Sequence, residues 1–202
     1  MNIFTKKVFD KKAQKRKSSL LFQKGLSLIE ASMVLALSAI VVSGVMYYYQ
    51  AASDNNKTQS TVSEVMSIVS AVNGLYVGTS GYTGLDASVI LKTSAVPENY
   101  KSQNGIMHPF GGNLTLGTTR SATGYYIKLE NIPKSACVNL SSMNFGTSLG
   151  GVGVNAQNEA NQDIASVPAG DGKGKFTKNA LTPTQASKAC SDDNNTITFL
   201  LK

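Results

Sequence analysis

Two sets of residues in this chain have the type and placement to do chemistry. The first is Glu30, the single charge in LSLIEASMVLALSAIVVSGVMYYY, residues 26–49. A carboxylate inside so apolar a segment is expensive in lipid and by default marks a function. The second set is Cys137 and Cys190, the only two cysteines, with a long polar stretch between them. Two cysteines and one histidine, His108, cannot supply the four ligands of a structural zinc site. If the body of the chain lies outside the cytoplasm, the pair reads as one disulfide closing a long loop, stabilising by about 4 kcal/mol. The alternative is two buried free thiols.

No catalytic constellation accompanies them. His108 stands alone before Pro109 and reads as a solvated turn residue. GTSLGGVG lacks the lysine and hydroxyl of a phosphate-binding loop, GDGKGK is not followed by serine or threonine at the required place, and no GxGxxG unit links a strand to a helix. Asp192 and Asp193 are adjacent, so on a strand they point apart and form no acid–base pair. The chain is not expected to be an enzyme, to hold a metal or to need a cofactor.

The segment that carries Glu30 has a sharply asymmetric setting. The net charge of +7 resides wholly in residues 1–25, where eight bases face one acid; the rest of the chain is balanced. A body without excess positive charge has little with which to neutralise phosphates, so direct nucleic-acid binding is not expected. As a helix, residues 26–49 would extend about 36 Å, enough to cross a hydrocarbon core of about 30 Å. The lysine-rich flank places the N-terminal side in the cytoplasm, and Tyr47, Tyr48 and Tyr49 fall at the opposite interface. An ordinary cleaved signal peptide has a shorter apolar core ending in a small-x-small site. A plain signal anchor explains the length and the lysines but not Glu30. A helix beginning at Leu26 would place Glu30 near the positive end of its dipole. Cleavage after Gly25 would create an α-amino group at Leu26, a cation able to hold a buried carboxylate ionised.

Gly25, Leu26 and Glu30, with Lys24 before the cut and no charge from Ala31 to Tyr49, resemble the class III signal of type IV prepilins. The long leader and a first mature residue other than phenylalanine resemble the type IVb branch. SLIEASMVLAL, GVMYYYQAASDNNK, NGLYVGTSGYTGLD and HPFGG are similar to the bundle-forming and thin-pilus major pilins of enteric bacteria, and the likeness thins after about Phe145. The resemblance implies an α+β fold, a long N-terminal helix packed on an antiparallel sheet. It also implies a prepilin peptidase cutting between Gly25 and Leu26, possible N-methylation of Leu26, and a role for Glu30 in assembly by pairing with a neighbour's terminal amine. Its implied partners are copies of the chain in a helical filament, an inner-membrane platform with a cytoplasmic ATPase, and an outer-membrane secretin. The implied location is the inner membrane first and the surface pilus afterwards.

Four regions follow: a leader at 1–25, an apolar helix at 26–53, an amphipathic half at 54–77 and a globular head at 78–202. Val62, Val65, Met66, Val69, Val72 and Tyr76 recur at helical spacing. With no proline before Pro97, nothing in the imino-acid pattern kinks a helix of about 78 Å over residues 26–77. Gly44 is its one weak point. Gly78, Gly81 and Gly84 break the helix and open a turn-rich stretch, the αβ-loop of the resemblance, over about 78–123. GYYIKLENI alternates as a strand with Tyr125, Ile127 and Leu129 on one face, and VNLSSMNFG reads as a weaker strand. Residues 146–178, rich in Gly, Asn, Ala and Ser, read as loops and short pieces. TPTQASKAC reads as a short helix capped by Thr182 with Pro183 and Gln185, and TITFLLK as a final strand. By resemblance that strand lies inside the sheet, and the disulfide ties the short helix to the region after GYYIKLENI. The expected function is a major pilin; the runner-up is a minor pilin or secretion pseudopilin, and a third reading is an uncleaved anchored sensor domain.

Overall fold

The computed structural model describes residues 27–103 and 105–202; Gly25 and Leu26 therefore lie outside the described residues. Two compact units divide the chain at residues 45 and 46. Helix α1 spans Leu28–Leu75. In the first unit every described residue is helix or its immediate start, and nearly all are exposed.

The second unit is built on a six-stranded antiparallel sheet. Its strands are β1 (Lys101–Ser102), β2 (Gly105–Met107), β3 (Asn113–Thr118), β4 (Tyr125–Pro133), β5 (Leu149–Val154) and β6 (Asn194–Leu201). Their order in space is β1-β2-β3-β4-β6-β5. Three short helices accompany them: α2 (Ala87–Leu91), α3 (Lys134–Ser141) and α4 (Pro183–Ala189). Strand β4 alternates as its sequence dictates: Tyr125, Ile127 and Leu129 are fully buried, and Tyr126, Lys128 and Glu130 turn the other way. They form one core with Val65, Ile68, Val69 and Val72 of α1 and with Ile197, Phe199 and Leu201 of β6. The helical stripe differs from the sequence expectation at Met66, which is exposed, while Ile68 is buried.

Strand β6 lies between β4 and β5, inside the sheet as expected. It is covered on both sides, because Leu200 joins a second cluster with Ala156, Ile164, Val167 and Phe176 from the segment after β5. That segment also explains β5 itself, a six-residue strand where loops and short pieces were expected. It packs so closely that a Cβ on Gly150 would stand 2.5 Å from Ile164 Cγ2. Strand β5 needs glycine, and glycine carries no side-chain alternation to announce a strand. The ladder between β4 and β6 shifts register between Leu129 and Ile132, where Asn131 takes φ 58°, a left-handed conformation that asparagine tolerates.

VNLSSMNFG is not a strand. Its first residues end helix α3, which buries Ala136, Cys137, Leu140 and Ser141 on one face. The helical spacing begins at Ala136, ahead of the window read as extended. The stretch after α1 also holds more than turns, since β1, β2, β3 and α2 all lie within 78–123. Helix α4 forms as read: Thr182 Oγ1 accepts from the Gln185 N–H at 3.3 Å, the Gln185 carboxamide oxygen accepts from the Thr182 N–H at 3.0 Å, and Pro183 is the first helical residue. Cys137 on α3 and Cys190 at the end of α4 form a disulfide across 5.9 Å between Cα atoms, both fully buried.

Candidate functional site

The candidate site is the apolar part of α1. From Leu28 to Tyr49 no described residue is buried: Leu28 is 90 % exposed and Tyr47 78 %. The first fully buried residue of the helix is Thr61. Residues that prefer apolar surroundings by about 25 cal/mol per Å² are left uncovered by their own chain. So large an exposed patch marks an interaction surface, and α1 is long and apolar enough to cross a membrane.

Glu30 stands at the start of this surface. The described helix begins at Leu28, the Ser27 carbonyl accepts from the Ala31 N–H at 3.0 Å, and Glu30 lies in the first turn. Ser27, Leu28, Ile29 and Glu30 have the S-x-x-E spacing of a capping box, and the Ser27 N–H donates to Glu30 Oε2 at 2.9 Å. This local role was legible in the sequence and was overlooked. Glu30 thus carries a backbone hydrogen bond one residue beyond Leu26, on a helix end where negative charge is favoured.

A second carboxylate on the same helix has the opposite setting. Glu64 is 4 % exposed, and neither of its carboxylate oxygens has a hydrogen-bond partner. Burial pushes its pKa from the ordinary 4.5 up to about 7. The sequence reading passed over it, although Glu64 precedes Ile68 by four residues and follows Thr61 by three, inside the buried stripe.

His108 is the other missed residue. It is not a solvated turn residue but is 1 % exposed. Its Nδ1 accepts from the Phe110 N–H at 3.3 Å, so Nε2 carries the proton and donates to the Glu130 carbonyl at 2.7 Å. Burial holds its pKa below the ordinary imidazole value, against a smaller upward pull from Glu130. The His108 carbonyl accepts from the Gly111 N–H at 2.7 Å, which closes the turn. A Cβ on Gly112 would stand 1.9 Å from the Glu130 oxygen. HPFGG is therefore a clamp joining the β2–β3 turn to β4. Asp192, for its part, accepts from Asn155 Nδ2 at 3.1 Å. Among the described residues no three of His, Cys, Asp or Glu gather as metal ligands.

Comparison with known proteins decides the family. The Bundlin family model matches residues 50–200. This chain belongs to the bundlin family. Two of its relatives in that family are the major structural subunits of the bundle-forming pilus of Escherichia coli O111:H- and of Escherichia coli O127:H6 (strain E2348/69 / EPEC). Each is 49 % identical over 187 residues, covering 90 % of this chain and 95 % of the relative. Among solved structures, TcpA, a type IV pilin from Vibrio cholerae El Tor biotype, aligns with a TM-score of 0.49 and 17 % identity over 72 % of this chain and 98 % of that one. The bundlin match reaches through the head, including the part after Phe145 where the sequence likeness was read as thinning.

Proposed function

We propose that this bundlin-family chain is the major structural subunit of a type IVb pilus. The observation that carries the reading is the uncovered apolar stretch 28–49, on a chain half-identical to major subunits of a bundle-forming pilus. A prepilin peptidase removes residues 1–25 by cutting between Gly25 and Leu26, and Leu26 becomes available for N-methylation. The chain then waits in the inner membrane with residues 26–53 in lipid and the amphipathic half, 54–77, supporting the head, 78–202. On assembly by a platform, its ATPase and a secretin, the apolar helices exchange lipid for one another in the filament core. Glu30, which already accepts the Ser27 N–H, takes the terminal amine of a neighbouring Leu26 as its counter-charge. An ion pair of this kind sets register more than it adds stability.

The test is the intact mass and N-terminal sequence of protein sheared from the cell surface. A chain beginning at Leu26, with the disulfide intact, is expected. Retention of Met1, or the absence of shed protein, returns the chain to a membrane-anchored domain.

A further inference from the structure

His108 is a buried titratable group on which two separate bonds of the head converge. Neutral, it is engaged at both nitrogens: Nδ1 accepts from the Phe110 N–H at 3.3 Å, and Nε2 donates to the Glu130 carbonyl at 2.7 Å. The first bond shapes the 108–112 turn, and the second fastens that turn to β4. The backbone closes the turn again, with the His108 N–H donating to the Gly112 carbonyl at 3.1 Å and the Gly111 N–H to the His108 carbonyl at 2.7 Å. The turn lies so close to β4 that a Cβ on Gly112 would strike both the Glu130 carbonyl and His108 Nε2. Phe110, inside the turn, packs on the main core, and Lys57 Nζ of α1 stands 5.9 Å from its ring centroid.

A proton disrupts one of these bonds and not the other. At Nε2 the imidazolium still donates to a carbonyl, more strongly than before. At Nδ1 it sets an N–H against the Phe110 N–H, two donors face to face with no acceptor between them. The imidazole is 1 % exposed, so the new charge also lacks water. Charged groups face it from β4 and from α1. Glu130 lends its carbonyl to Nε2, but its carboxylate is held by Lys128 at 3.2 Å. Lys57 brings a second cation. Burial outweighs the upward pull of Glu130 and holds the His108 pKa below its ordinary value. Among the described residues no carboxylate accepts from Nδ1, so relief comes only when the turn moves.

We infer that His108 is an acid-released latch: neutral, it holds the 108–112 turn shut against β4, and protonated it lets the turn open with Phe110. The opening is local, because the β4–β6 ladder from Tyr125 to Leu129 and the β3–β4 ladder from Leu114 to Thr118 do not run through the imidazole.

The test is amide hydrogen exchange on the full-length chain in detergent from pH 7.5 to pH 4.5, corrected for the intrinsic pH dependence of exchange. The open turn binds a proton at the ordinary pKa and the shut turn below it. The open population therefore rises about tenfold for each pH unit below about 6.5, and levels off once the shut-state pKa is passed. The Phe110 amide is expected to lose protection along that slope, to stay less protected than Ile127 and Phe199, and to ignore low concentrations of urea, as a local opening does. In His108→Asn the carboxamide oxygen accepts from the Phe110 N–H and takes no proton, so protection there is expected to be flat across the same range. Glu64 titrates in both chains, so a flat response assigns the slope to His108. If that variant does not fold, the unmodified chain still decides: the pH at which Phe110 protection levels off must match the titration midpoint of the His108 nitrogens by NMR. Protection at Phe110 that ignores pH, that equals protection at Ile127 and Phe199, that levels off away from the imidazole midpoint, or that keeps its slope in His108→Asn overturns the assignment.

Discussion

Residues 28–49 and 61–72 belong to one helix and live by opposite rules. The first stretch is apolar on every side and exposed on every side; the second is apolar on one stripe, and that stripe is buried. Each stretch carries a glutamate, and the contrast extends to those. Glu30 is exposed and hydrogen-bonded to Ser27, while Glu64 is buried and unpartnered. The difference teaches that helix propensity decides only that both stretches are helical. What each does depends on whether its own chain supplies a cover. Residues 61–72 have the sheet, and residues 28–49 must find a surface elsewhere.

Substitutions in the first stretch should therefore change assembly without changing the head, and substitutions in the head should do the reverse. The largest effect is expected at Glu30. On the proposed pilus reading, Glu30→Ala should leave the proposed cleavage after Gly25 and the melting of the head intact but abolish filaments, read by mass spectrometry, calorimetry and electron microscopy. Normal filaments from that variant would remove the charge pair from the mechanism. Next is the disulfide, which bridges residues 53 apart in sequence. Cys137→Ser with Cys190→Ser should lower the stability of the head by about 4 kcal/mol in denaturant unfolding.

The HPFGG clamp gives a smaller, purely steric effect. Gly112→Ala drives a methyl against the Glu130 carbonyl and should cost about 3 kcal/mol, with the His108 hydrogen bond to Glu130 lost in the imidazole NMR spectrum. Glu64 gives an effect whose size depends on pH. Its folded pKa, about 7, lies above the ordinary 4.5, so the folded chain retains a proton that the unfolded chain has released. Stability therefore falls as pH rises from 4.5 to 7 and stays reduced above that. Glu64→Gln should stabilise the head by about 3 kcal/mol at pH 8 and by nothing at pH 4. His108 slopes the other way: its pKa is held below 6.5, so stability falls as pH drops below that value, in the original chain and in the Glu64→Gln variant alike. The smallest effect is at the cap of α4, where Thr182→Ala should cost about 1 kcal/mol and leave assembly unchanged.

The legibility of the fold follows the same division. Strand β4, helix α4 and strand β6 each display their own signal, alternation in one case, a capping box in another and an apolar β-branched run in the third. Strand β5 displays none, because the close approach of residues 155–178 requires glycines where alternating side chains would have stood. Helix α3 was hidden by a window that began after Ala136 and Cys137, the residues that start its buried face. Glu30 was conspicuous because charge is rare in an apolar run. Glu64 and His108 were not, because burial of a single polar residue depends on what the rest of the chain lays over it. Ser94 and Tyr100, which line one groove with Glu64, come from thirty or more positions away in sequence.

The strand order carries a consequence for the moment of synthesis. Strand β6 sits between β4 and β5, yet it is made after both. While residues 134–193 emerge, β4 keeps an unpaired edge and β5 has no strand beside it. An edge of that kind is a template for any extended chain nearby, including another nascent copy of the same protein. The head cannot mature piece by piece as it is translated. It must wait, with its middle open, for residues 194–201 to arrive and slot between two strands already made.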